Sequence, residues 1–121
     1  GMGGRRFSEQ HARNSALLMN EAQPEYLSTL VVSFPAGMDR YQAGFDGAFE
    51  PLDRPGLVRE MALLLAELEL QDTIFRSDHA SNYLVLKGTL NRDRQRLLAT
   101  VQAALERPGA VPLRPEWARG L

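Results

Sequence analysis

The residues best suited to chemistry lie in one short stretch of the sequence, from Arg76 to Tyr83. His79 can exchange a proton near neutral pH, Asn82 offers hydrogen-bond donors and an acceptor, and Tyr83 offers an aromatic face with a hydroxyl group. Asp78 directly precedes the histidine and could serve as its acid–base partner. The stretch therefore has the residue types of an acid–base or substrate-binding loop.

Each of these residues also has a structural interpretation. No second histidine accompanies His79, which argues against a metal site, and a hydrogen-bonded structural role is favoured over an acid–base role. Ser81 and Asn82 are also typical of tight turns, and Tyr83 of a core aromatic whose hydroxyl reaches the surface. The sequence leaves both interpretations open. His11 has polar neighbours, which predicts a solvated helix face.

The composition excludes chemistry that depends on cysteine. The 121 residues include no Cys, so the chain can hold no disulfide, thiolate nucleophile or Cys-ligated zinc or iron–sulfur cluster. A formal net charge of -1 gives no general attraction to nucleic acid, and we expect no such partner. No apolar run is long enough to span a membrane, so we expect no membrane association and a cytoplasmic location.

The elements that must position the Arg76–Tyr83 stretch alternate between helices and strands. Apolar periodicity predicts three helices, at about residues 9–22, 54–69 and 92–106. Their predicted N-caps are Ser8, Asp53 and Asn91. Short runs rich in apolar and β-branched residues predict two strands, at about residues 26–34 and 72–77, and an extended segment at 84–88.

This order predicts an α/β fold in which parallel strands are joined by helical crossovers. A long loop follows the first strand, with one helical turn near residues 39–43, and an irregular tail over residues 107–121 is expected to be held by Trp117. Two strands leave both sheet edges unpaired. Residues 1–121 are therefore predicted to form a single domain that is a section of a (β/α) barrel, or a protomer whose sheet a second copy completes.

One long motif resembles a known family. Residues 73–90, TIFRSDHASNYLVLKGTL, and the following segment 92–98 resemble the C-terminal part of bacterial radical SAM proteins. These are the Fe–S oxidoreductases of the branch that includes elongator-type, methylthiotransferase-type and nitrogenase-cofactor-assembly enzymes. The resemblance covers nearly the whole chain, including Gly3-Gly4 with residues 8–12, residues 24–27 and residues 113–121.

The resemblance implies a parent enzyme that uses S-adenosylmethionine and a [4Fe–4S] cluster bound by a Cys-x3-Cys-x2-Cys loop within a (β/α) barrel. This sequence has neither that Cys motif nor the early strands, so the chain alone is expected to bind no cofactor and to have no activity. By the same resemblance, Gly3 and Gly4 lie near bound S-adenosylmethionine. Six residues are implied to orient the substrate or close the active-site mouth: Arg76, His79, Ser81, Asn82, Tyr83 and Lys87.

The partner implied by the resemblance is the remainder of the barrel, and two other functions stay open. The chain could be a standalone, non-enzymatic interaction module that completes its sheet by homodimerisation. It could also be a small catalytic domain in which Asp78 and His79 perform acid–base work, although no nucleophile or oxyanion arrangement accompanies that pair.

Overall fold

Four α-helices and three strands follow one another in the computed structural model, which describes residues 1–120. In chain order they are α1 (Gly4–Ala22), β1 (Tyr26–Ser28), α2 (Asp39–Gly44), α3 (Arg54–Glu67), β2 (Thr73–Ser77), β3 (Leu86–Leu90) and α4 (Arg94–Glu106). A 3-10 turn follows at Glu116–Ala118. The mixed α/β class is confirmed, and Leu121, the end of the predicted tail, lies outside the described residues.

The strands form one mixed sheet in the order β1-β2-β3. β1 and β2 run parallel, as predicted, with Leu27 opposite Phe75. β3 is antiparallel to β2, with Gly88 opposite Phe75, so the prediction of parallel strands does not extend to it. Only residues 78–85 separate β2 from β3, and a parallel return would need a crossover of a dozen or more residues.

β1 ends at Ser28, well before the predicted end of the strand at residue 34. Thr29 still donates its N–H to the carbonyl of Arg76, at 3.0 Å. Beyond that point β2 has ended, and the side chain of Asn82 takes its place: Nδ2 donates to Thr29 O at 2.9 Å and Oδ1 accepts from Val31 N at 2.7 Å. A neighbouring parallel strand would offer one residue's N–H and C=O in the same way. The strand stops because its backbone partner does.

Helix α1 begins at Gly4, five residues earlier than predicted, and bends at Phe7. Its first turn carries Arg5 and Arg6 rather than apolar residues, so periodicity does not detect it. Ser8 is consequently inside the helix and is not the N-cap.

The other two predicted caps have opposite outcomes. Asp53 is confirmed as the cap of α3, because its Oδ1 accepts from Gly56 N at 2.8 Å and Pro55 lies in the first turn. Asn91 is not the cap of α4, which begins at Arg94. Its Nδ2 donates instead to the carbonyl of Leu68 at 2.8 Å, so it joins the end of α3 to the start of α4.

The loop between β1 and α3 folds around its own aromatic side chains. The predicted helical turn is present as α2, and the rings of Phe34 and Phe49 both lie against Tyr41, with centroids 4.9 Å away in each case. Phe45 adds a fourth ring, 5.0 Å from Phe49, which is buried. These edge-on contacts give the loop a small apolar cluster of its own.

The helices cover one face of the sheet, which we call the covered face. The buried core there includes Ala16 of α1, Leu65 of α3, Phe75 of β2, Leu90 of β3 and Leu97 of α4. The opposite side of the same strands, which we call the open face, carries Tyr26, Ser28, Ile74, Arg76, Lys87 and Thr89. None of the described helices is both long enough and apolar enough to cross a membrane.

Candidate functional site

The loop that follows β2 is organised by the buried side chain of Asn82. Besides its two bonds to the chain after β1, its Nδ2 donates to Ser77 Oγ at 2.9 Å, and its Oδ1 accepts from Ser81 Oγ at 3.4 Å. Both amide hydrogens and both lone pairs of the oxygen are thus used within the protein. Asn82 and Ser81 hold the loop in shape, and their predicted contribution to substrate orientation would act through the loop.

The side chain of His79 is turned toward its own loop. Its Nδ1 lies 3.1 Å from Ser81 N, which donates to it, and 2.9 Å from Ser81 Oγ. Because Nδ1 accepts a backbone N–H, the neutral ring carries its hydrogen on Nε2. Asp78 does not pair with this ring among the described residues, and its carboxylate instead lies 3.1 Å from Lys87 Nζ. The acid–base pair considered from the sequence is therefore divided between two different partners.

The chain beyond α4 fastens the His79–Tyr83 loop through two arginines. Arg114 Nη1 donates to the carbonyls of His79 at 2.8 Å, Ala80 at 3.0 Å and Asn82 at 2.6 Å. Its backbone N–H donates to Tyr83 O at 2.7 Å, and Arg119 Nε donates to Ser81 O at 2.8 Å. Every carbonyl of the loop from residue 79 to residue 83 thus accepts a bond from this segment, residues 113–120, which we call the strap.

Trp117 does not hold the strap, contrary to the prediction, because its side chain is 87% exposed. The anchor is Arg119, whose side chain is 6% exposed and whose guanidinium lies 4.0 Å above the ring of Tyr83. Arg54 approaches the same ring at 5.0 Å. The aromatic ring that holds the strap is thus Tyr83 of the loop, and not Trp117 of the strap itself.

The hydroxyl of Tyr83 donates to Glu116 Oε2 at 2.7 Å and accepts from Arg119 Nη1 at 2.6 Å. Burial, followed by this bond to Glu116, raises the pKa of Tyr83 above its ordinary value. The same bond lowers the pKa of Glu116. The tyrosine therefore keeps its proton and acts as the donor in this pair.

Arg76 and Lys87 are the predicted site residues on the open face, where they stand opposite one another in β2 and β3. Arg76 Nη1 donates to Phe75 O at 2.8 Å, which turns the guanidinium back onto the sheet. The side chain of Lys87 is 58% exposed and reaches Asp78 at the end of β2. Because Asp78 offsets the charge of Lys87, one net positive charge remains on this part of the open face, which favours an anionic group.

Gly3 and Gly4 are buried at the start of α1. A Cβ on Gly4 would lie 2.7 Å from the carbonyl oxygen of Glu50 and 3.0 Å from the ring of Phe49, and Gly4 has a φ of +59°. A Cβ on Gly3 would lie 2.7 Å from Phe7 O. The glycines admit close packing inside the protein. The two glycines do not fit a contact with S-adenosylmethionine in this chain, because Phe49 and Glu50 cover Gly4. The chain does not fit an iron–sulfur cluster either, because it has no Cys to bind one.

A polar cluster that the sequence did not reveal joins α1 to α3. Glu60, whose side chain is 10% exposed, accepts from Ser8 Oγ at 2.5 Å and pairs with His11 Nδ1 at 3.1 Å. The amino group of Gly1 also lies 2.5 Å from Glu60. Burial raises the pKa of Glu60, but the bonds from Gly1, Ser8 and His11 outweigh it, so the pKa lies below its usual value. His11 is half-buried beside this carboxylate rather than solvated.

The sequence gives only half of this cluster. Ser8 and His11 are three residues apart and so share one face of a helix, which is visible in the sequence. Glu60 lies 52 residues after Ser8, and only the packing of α1 on α3 shows that it is their partner.

A cavity of about 310 Å³ adjoins the cluster, between α1, α3 and the chain that follows β1. His11 and Glu60 line it together with Thr29 and apolar side chains of both helices. Residues 1–120 contain no group of three or more His, Asp or Glu side chains that could hold a metal ion.

Comparisons with protein-family models, with curated proteins and with solved structures found no match to this chain. Its function is therefore argued from its own residues, from the geometry of the open face and the loop, and from the resemblance carried by the motif in residues 73–90.

Proposed function

We propose that this chain is the C-terminal barrel section of a radical SAM Fe–S oxidoreductase, in which the open face turns toward the barrel interior. The observation that carries the proposal is the contrast between the two faces of the sheet. In a (β/α) barrel, helices cover the outside of the strands and the inner side faces the lumen. Here the covered face holds Phe75 at 0% exposure, whereas Ile74, the preceding residue, is 42% exposed.

The arrangement of β1, α3 and β2 also supports the proposal. Two adjacent parallel strands joined through a helix form the repeating unit of such barrels. The loop from Asp78 to Tyr83 follows the carboxyl end of β2, which is the end of a parallel strand where barrels bind their ligands. The motif that resembles the family spans β2, this loop and β3.

The proposed roles differ between the open face and the loop. Lys87 and Arg76 would contact an anionic group of the substrate from the open face. His79 would offer its Nε2 hydrogen at the mouth, while Ser81, Asn82 and the strap keep the loop in place. Tyr83 would act with the strap through its hydroxyl. Cluster and S-adenosylmethionine would belong to the remainder of the parent enzyme, because this chain lacks the thiolates.

An immunoblot of the native organism's lysate, with antibody raised against this chain, tests the proposal first. We expect a single band well above 13.5 kDa, and a band at 13.5 kDa would overturn the proposal. The larger protein, purified without oxygen, should then contain an oxygen-sensitive cluster and cleave S-adenosylmethionine. Lys87→Gln should weaken coupling of that cleavage to substrate conversion, and Arg40→Gln on the exposed surface of α2 is the matched control that should not.

A homodimer that pairs two open faces is the second candidate. Tyr26 at 56% exposure and Ile74 at 42% favour it, because they place apolar area on a face that the described residues leave uncovered. Sedimentation would then give twice 13.5 kDa, and Ile74→Lys should return the chain to a monomer. A monomer at all concentrations for the unmodified chain would exclude this candidate.

A further inference from the structure

We propose that the cavity between α1, α3 and the chain after β1 binds a small, uncharged, apolar molecule that carries one hydroxyl group. The cavity lies on the covered side of the sheet, since Leu27, Ser77 and Leu86 contribute to its lining. It also borders the loop through Asn82 and Tyr83, and it is separate from the cationic part of the open face. The inference does not depend on the proposed function.

Size and lining fit a small apolar ligand. The volume is about 310 Å³, near the lower end of the range for small-molecule sites. The walls are mainly flexible apolar side chains: Leu18, Met19, Met61, Leu64 and Leu84. The two methionines can adjust to the shape of an occupant.

The hydroxyl of Thr29 supplies the polar contact. Its Oγ1 is buried and has no hydrogen-bond partner among residues 1–120, and Thr29 lines the cavity. An unpartnered buried hydroxyl is costly, so native proteins usually satisfy it. The backbone of Thr29 is held on both sides, because its N–H donates to Arg76 and its carbonyl accepts from Asn82. The backbone therefore stays fixed at the cavity wall, and rotation of the side chain about its Cα–Cβ bond would bring the buried Oγ1 to a ligand hydroxyl.

The charge at the polar end of the cavity selects against anions. Glu60 lines the cavity, and its two carboxylate oxygens already accept from Ser8 and interact with His11. The Glu60 carboxylate would repel a ligand carboxylate, and a ligand cation would find both of its oxygens occupied. An uncharged ligand avoids both costs.

Titration of the isotope-labelled chain with p-cresol, toluene and p-methylbenzoate tests the inference, with amide chemical shifts as the readout. We expect p-cresol to saturate one site and to shift residues that line the cavity. Thr29→Val keeps the side-chain shape but removes the hydroxyl, so it should weaken p-cresol binding about five- to tenfold and leave toluene binding unchanged. Thr100→Val, on α4 away from the cavity, is the matched control and should change neither.

A second variant covers the case in which Thr29→Val does not fold. Ser15→Phe, at a half-buried position of α1 that lines the cavity, should abolish binding of p-cresol and toluene while circular dichroism shows unchanged helix content. The inference is overturned if p-cresol gives no saturable shifts, if a folded Ser15→Phe chain still binds both probes, or if Thr29→Val binds p-cresol as well as the unmodified chain. Equal affinity for p-methylbenzoate would overturn the assignment of an uncharged ligand.

Discussion

On the covered face of the sheet Phe75, Leu86 and Leu90 are each at most 2% exposed, whereas on the open face Tyr26 is 56% and Ile74 42% exposed. The same three strands supply both sets, since successive residues of a strand point to opposite sides. The covered face gathers the apolar core against three helices. The open face mixes apolar residues with Ser28, Arg76 and Lys87. Stability therefore comes mainly from one face, and the other is left for a ligand, a partner or the rest of a barrel.

Removing Phe75 should have the largest effect on folding. Phe75→Ala leaves a cavity in the core and should lower the free energy of unfolding by about 3–5 kcal/mol. Ile74→Ala, one residue away on the open face, should cost less than about 1 kcal/mol, because much of that side chain is already in contact with water. Urea unfolding of the two variants gives both values, and similar losses would show that the open face is covered in solution.

Asn82 should have the next largest effect, because it connects the two parallel strands beyond their ends. Asn82→Ala leaves Ser77, Thr29 and Val31 without their side-chain partner, and we expect a loss of about 2–3 kcal/mol. The amide of Val31 should exchange with solvent much faster. Asn82→Asp, which retains the acceptor and loses the donor, should keep the bond to Val31. Equal protection of the Val31 amide in the unmodified chain and both variants would show that the Asn82 side chain does not take the place of β2 beyond its end.

Glu60 tests the helix layer on the covered side through pH. Since its pKa in the folded chain lies below the usual value of 4.5, its contribution is fully present above about pH 4.5 and is lost as the pH falls through the folded pKa. Glu60→Gln should cost about 1–2 kcal/mol at pH 7 because Ser8 and His11 lose a charged acceptor. The melting temperatures of the unmodified chain and the Glu60→Gln variant should differ at pH 7 and converge at pH 3. A difference of the same size at both pH values would refute this role.

Trp117 should matter least. Its side chain is 87% exposed, so Trp117→Phe should change the free energy of unfolding by less than about 0.5 kcal/mol. The matched variant Arg119→Lys loses both the stacking on Tyr83 and the forked hydrogen bonds, and should cost about 1 kcal/mol. Denaturation curves measured side by side would reverse the assignment of the anchor if Trp117→Phe were the more damaging change.

Local signals explain what the sequence predicted well. Helices α3 and α4 follow from apolar periodicity, and the cap at Asp53 depends on a bond to Gly56, three residues away. The residue types of the loop after β2 predict a candidate site, and that assignment stays a prediction. The sequence predicts β3 only as an extended segment and not its antiparallel direction, because strand direction depends on the partner with which a strand pairs.

The contacts that define the site join distant parts of the chain. Asn82 bonds to Val31, which lies 51 positions earlier in the chain, and to Thr29, which lies 53 positions earlier. Arg119 bonds to the loop 38 positions earlier, and Glu60 bonds to a serine 52 positions earlier. No spacing rule connects such residues. The sequence therefore predicts substrate-orienting or turn roles for Asn82 and Ser81 without indicating the partners to which they bond.

By itself the sequence determined the α/β class, the principal helices, the parallel pairing of the first two strands and the absence of thiolate chemistry, because periodicity, local capping and composition act within a few residues. Only the tertiary structure decided which face of the sheet is covered, how the strap holds the loop through Arg114 and Arg119, and how Thr29 comes to line a cavity with its hydroxyl unpaired within residues 1–120. Those outcomes depend on which segments pack together, and packing is a property of the whole fold rather than of any local run of residues.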